Sequence, residues 1–144
     1  MALRVAETLA VVGHPADALG TPLVRRGRAW VRETVARVAP WADMDVLDLL
    51  AAEVLTNAIT HTASGEDGGA VVLAVRWSAG RVRVAVTDDG RADSCPKMCA
   101  KSETTLSGRG LALLNALASA WGYETGADAD RRVTVWFELT ETRT

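Results

Sequence analysis

Between Leu49 and Ile59 the chain reads LLAAEVLTNAI, and Glu53 is the only charged residue in that span. A helix this apolar is expected to be largely buried, and a buried carboxylate is costly unless something compensates it. Asn57 follows four residues on and His61 four more, a spacing that puts all three on one helix face. A polar stripe on an apolar helix calls for a partner. A hard cation is one candidate, because an Asn carbonyl and phosphate oxygens are suitable Mg2+ ligands. Glu53, one turn away, would then be placed to accept a proton from water or a hydroxyl. The alternative is that Glu53 faces a groove and pairs with one of the many arginines, and the helix by itself does not choose between the two.

Two further groups carry chemistry. In RVRVAVTD, residues 81–88, Val82, Val84 and Val86 share one strand face and Asp88 continues their parity, so its carboxylate points to the apolar side at the strand's end. There it could accept a hydrogen bond from an exocyclic amine such as that of adenine, with Gly90 letting the backbone come close to a flat ring. The competing reading is that Asp88-Asp89-Gly90 is a plain turn. Ser107-Gly108-Arg109-Gly110-Leu111 opens a helix after a long loop. Glycines at a helix N-terminus expose N–H groups where the dipole is positive, which suits phosphate, although a Gly-rich cap needs no ligand. The segment is not a dinucleotide fingerprint, since it follows a loop rather than a strand, and no G-x-x-x-x-G-K-[ST] occurs.

The elements that must position these groups are legible from pattern. A strand is expected over residues 5–13. A helix over 22–38 carries Leu23, Trp30, Val31, Thr34, Val35 and Val38 along one side and ends at Pro40. Asp43 or Asp45 can cap a second helix running to about Thr62. Residues 64–69 are a loop. Valine-rich runs at 70–77 and 81–88, joined at Ala79-Gly80, form a hairpin. Residues 89–107 have no apolar period and read as a long loop, and a loop of that length in a compact domain is more often a functional lid than a spacer. A helix follows from about Gly108 to Ala120, then a strand pair near Gly122–Thr125 and Val133–Leu139. The fold class expected is α+β, a two-layer sandwich with helices on one face of a mostly antiparallel sheet.

The bulk numbers set bounds. The 144 residues suit one domain, with 49% hydrophobic residues for a core. Net charge is −2 and no basic stripe is visible, which argues against direct nucleic-acid binding. No segment approaches the roughly 20 apolar residues of a membrane span, and the first fifteen residues lack a signal-peptide pattern, so a cytoplasmic protein is expected. Cys95 and Cys99 are expected to be reduced and incidental, because C-x-x-x-C lacks the second ligand pair of a zinc site.

The ordered set E-x-x-x-N on a helix, a hairpin ending in D-x-G, a long loop and G-x-G opening a helix resembles the GHKL ATPase superfamily, whose fold is the Bergerat fold. The resemblance spans about residues 20–139. It implies binding of ATP with Mg2+: Asn57 as the Mg2+ ligand, Asp88 as the adenine anchor with Gly90 beside it, and Ser107, Gly108, Arg109 and Gly110 as the phosphate-facing segment of the lid. The run from Glu53 through Asn57 to His61, the closing VTVWFEL and the lack of an extra domain resemble the anti-sigma-factor serine kinases. That branch implies Glu53 as catalytic base, and as partners an anti-anti-sigma protein whose serine is phosphorylated and/or a sigma factor that is sequestered; a homodimer is left open. The sequence departs from the pattern where Ala92 replaces the second glycine of D-x-G-x-G, and where Arg131-Arg132-Val133-Thr134 stands in place of the third box's Gly-Thr. Both departures point to weaker nucleotide binding. Three readings therefore compete: a serine protein kinase, a non-catalytic ATP-binding or sigma-binding module, and a histidine-kinase catalytic domain working in trans. No phospho-accepting helix pair is expected ahead of the domain, which sets the third reading behind the other two.

Overall fold

Alternation of valine with polar or small residues lays down the sheet, because successive strand side chains point to opposite faces. The computed structural model of the chain describes residues 4–12, 21–60, 70–88, 108–125 and 132–142. Their elements run in the order β1 (Arg4–Val12), α1 (Thr21–Val38), α2 (Met44–Thr60), β2 (Ala70–Ser78), β3 (Arg81–Asp88), α3 (Gly108–Leu117), β4 (Ala120–Thr125) and β5 (Val133–Thr140). The strands form one five-stranded sheet of order β1-β2-β3-β5-β4, and every neighbouring pair is antiparallel. Because β3 and β4 both run opposite to β5, they run in the same direction, and the chain must cross over between them; α3 lies in that connection.

The inward face of the sheet carries Val71, Leu73 and Val75 of β2, Val82, Val84 and Val86 of β3, and Val135, Phe137 and Leu139 of β5, all buried. Against it lie Val31 and Val35 of α1, Leu47, Leu50, Val54 and Leu55 of α2, and Leu114 of α3. This is the expected two-layer α+β sandwich. At Gly27 an added Cβ would stand 2.9 Å from Leu55 Cδ1 and 3.3 Å from Leu73 Cδ1, so α1 comes down onto α2 and the sheet at a point that only glycine allows without repacking. Arg28 of α1 also forks onto both carboxylate oxygens of Asp48 on α2. Those hydrogen bonds, ahead of the opposing effect of burial, hold the Asp48 carboxyl below its usual range.

The opposite sheet face has its own polar cluster. Arg83 donates from Nε to Glu138 Oε2 at 2.7 Å and lies 3.9 Å from the centre of the Trp136 ring, which in turn rests over Gly122 of β4. Glu138 is buried there, on the outward parity of β5, because its register partner on β3 is Arg83.

The start of α2 is fixed locally, and with it the helix that carries Glu53 and Asn57. Asp43 is its cap: Oδ1 accepts hydrogen bonds from the Asp45 and Val46 N–H groups at 3.0 and 3.2 Å. Asp43→Ala is expected to cost about 1 kcal/mol of stability, measurable as a lower urea midpoint at unchanged slope. The C-terminus of α3 differs from expectation. The helix ends at Leu117 instead of near Ala120, and β4 begins at Ala120 instead of Gly122. The cause is non-local: the Ser119 N–H donates to the Glu138 carbonyl at 2.8 Å, and Ala120 is already in register with Glu138. Pairing with β5 draws the chain out of the helix. The expected lid at 89–107 and the loop at 64–69 lie outside the described residues, as do Cys95 and Cys99.

Candidate functional site

The buried face of α2 has two polar residues in an otherwise apolar surface. Glu53 is 7% exposed and Asn57 5%. The helix itself orients the second: Asn57 Nδ2 donates to the Glu53 backbone carbonyl at 2.8 Å. An amide whose nitrogen is held by its own helix must turn Oδ1 the other way, and Oδ1 is the atom a hard cation would take. His61, the third member of the expected stripe, lies outside the described residues.

Glu53 is not a bare carboxylate. Arg109, in the first turn of α3, donates from Nε to Oε1 at 2.8 Å and from Nη2 to Oε2 at 3.0 Å. The arrangement is the two-pronged guanidinium–carboxylate pair, in which both oxygens are engaged at once. The hydrogen bonds, reinforced by the charge of Glu53, raise the Arg109 pKa above its ordinary value. The two ends of the pair sit in different surroundings: the Arg109 side chain is 76% exposed and that of Glu53 only 10%. Of the two possibilities open in the sequence, a free base and a partner of some arginine, the structure has the second. It identifies the arginine as one inside the Gly-x-Gly segment.

Asp88 ends β3 with the burial parity its sequence position predicts. It shares a face with Val82, Val84 and Val86, is 1% exposed, and stands opposite Val133 of β5. Beside it, Thr87 and Thr134 join through their hydroxyls at 2.7 Å and tie the ends of β3 and β5 together. Gly108 begins α3, and Gly110, two residues on, is buried. Gly90 and Ser107, expected at the adenine and phosphate ends, lie outside the described residues. The fold therefore brings Glu53 and Arg109 into contact and sets Asn57 one turn along α2 from them. α2 packs on both β3 and α3, the two elements that carry Asp88 and Gly110.

This arrangement can hold an anionic ligand that has a cation of its own. Among the described residues no group of three or more His, Cys, Asp or Glu side chains is placed to chelate a metal. A Mg2+ ion would need most of its oxygens from phosphate and water, with Asn57 Oδ1 as the protein donor, and that division is ordinary for Mg2+. Arg109 and the N-terminal turn of α3 supply positive potential for phosphate. Sequence reasoning gave Arg109 as a phosphate contact and an unspecified arginine as the partner of Glu53. It missed that these are one residue, for which the only available signal was a charged residue between two glycines at a helix start.

Among the described residues no helix is long and apolar enough to cross a membrane. No curated protein matches the chain. Residues 19–137 match the histidine kinase-like ATPase domain, a span that runs from α1 into β5 and takes in all of the candidate site residues, and the chain belongs to that family, within the GHKL ATPase superfamily.

Proposed function

We propose that the protein binds ATP with Mg2+ and acts as a cytoplasmic serine kinase of the anti-sigma-factor type, phosphorylating an anti-anti-sigma partner and/or sequestering a sigma factor. The observation that carries this reading is the buried Glu53–Asn57 pair on one face of α2, adjoining the Gly-Arg-Gly turn of α3. In it Asp88 anchors the adenine, with Gly90 alongside. Asn57 holds the metal, and Ser107, Gly108, Arg109 and Gly110 face the phosphates. Bound Mg2+ would neutralise charge on the phosphate oxygens. Glu53 orients the incoming serine hydroxyl and takes its proton as the new O–P bond forms, the bridging P–O bond breaks and ADP leaves.

A second reading has one observation in its favour. Both carboxylate oxygens of Glu53 are taken by Arg109, an arrangement that also suits a nucleotide-regulated binding module with no transfer chemistry.

Titration calorimetry with ATP, with and without Mg2+, tests the part common to both readings. Saturable heat that weakens when Mg2+ is withdrawn is expected. No heat at millimolar ATP would remove nucleotide binding from the account.

A further inference from the structure

Resting on the nucleotide-binding reading, we propose that Arg109 is a phosphate-responsive latch: it pairs with Glu53 until the terminal phosphate of ATP competes for the guanidinium and draws it off. The geometry supplies each part. A guanidinium fork recognises carboxylate and phosphate oxygens with the same two-pronged spacing, so the two anions compete for one group. Glu53 is fixed, being buried on α2, whereas the Arg109 side chain is mostly in solvent and can swing without repacking the core. Arg109 also stands in the first turn of α3, where the helix dipole attracts an anion. An incoming phosphate therefore meets Arg109 at the same helix end.

Release has a defined consequence. While the pair holds, each oxygen of Glu53 accepts a hydrogen bond from Arg109, which leaves only the remaining lone pairs for a hydroxyl proton. When Arg109 turns to phosphate, the carboxylate is uncovered at the moment a phosphoryl donor is in place. The same contact ties α3 to α2, so its exchange reports nucleotide occupancy to α3.

The latch makes Glu53 a competitor of the terminal phosphate, and that is measurable without a protein substrate. Affinities for ATP and ADP are determined by calorimetry for wild type, Glu53→Gln, Arg109→Ala and the double variant, with Arg109→Lys as a charge-retaining control. Glu53→Gln keeps the shape and removes the competing charge, so the preference for ATP over ADP should rise about tenfold. Arg109→Ala should lower that preference by a similar factor. Adding Glu53→Gln to Arg109→Ala should then change nothing, and Arg109→Lys should restore only part of the preference because it lacks the fork. An ATP-to-ADP preference that is the same in all variants, or a Glu53→Gln effect that survives in the Arg109→Ala background, overturns the latch while leaving nucleotide binding intact. Failure of wild type to bind either nucleotide overturns the nucleotide reading itself, and the latch with it. Should Glu53→Gln not fold, as circular dichroism would reveal, Arg109→Ala at its exposed position decides alone: an unchanged preference sinks the proposal.

Discussion

Glu53→Ala is expected to lower phosphoryl transfer to the partner serine by about 10²–10⁴-fold, with ATP bound at least as tightly as by wild type. The separation stems from where the carboxylate sits. It lies one turn from Asn57 on the buried face of α2, and both its oxygens engage the Arg109 side chain rather than the groups proposed to hold adenine and metal. Its loss removes the proposed proton acceptor and at the same time frees Arg109. Asn57→Ala should instead lose binding and transfer together, since it withdraws the carboxamide oxygen proposed as the Mg2+ ligand. The measurement is transfer of labelled phosphate from ATP to the co-purified partner, alongside calorimetry on both variants. Equal transfer by Glu53→Ala and wild type would remove Glu53 as the base. No transfer by wild type to any co-purified partner would favour the binding module.

What the sequence made legible was local. Period-two valines in RVRVAVTD determine which face Asp88 joins, and no other part of the chain is needed for that inference. The hairpin, its turn at Gly80 with φ of 73°, and a cap at Asp43 or Asp45, which the structure resolves to Asp43, come in the same way from residue type and neighbour. What stayed hidden depends on register between distant segments. The run LALLNALASA looks helical to its end, yet Ser119 and Ala120 are claimed by β5. Glu138 looks like an exposed strand residue until the register sets it against Arg83. The partner of Glu53 lies 56 residues away, and with 16 basic residues in the chain no pattern could single it out. That last gap mattered most for function, because the state of the candidate base depends on it.

Asp88→Asn is expected to weaken ATP by about tenfold or more, because a hydrogen bond to a charged acceptor is worth roughly 1.5–3 kcal/mol. The substitution is nearly isosteric, so the effect is on recognition and not on the volume of the site. Asp88 is 1% exposed at the end of β3, and in such surroundings an ionised oxygen discriminates strongly between a donor and an acceptor. Adenine offers an amine at the position where guanine has a carbonyl. Wild type should therefore bind GTP poorly, since two acceptors would face each other. A carboxamide can rotate to present either its oxygen or its nitrogen, so the variant should lose selectivity as well as affinity. Its ratio of ATP to GTP binding should move toward one. Competition of both nucleotides against a fluorescent ATP analogue measures that ratio directly. Wild type binding ATP and GTP equally would mean that Asp88 does not read the base, and that the Asp-Asp-Gly segment is only the turn that ends β3.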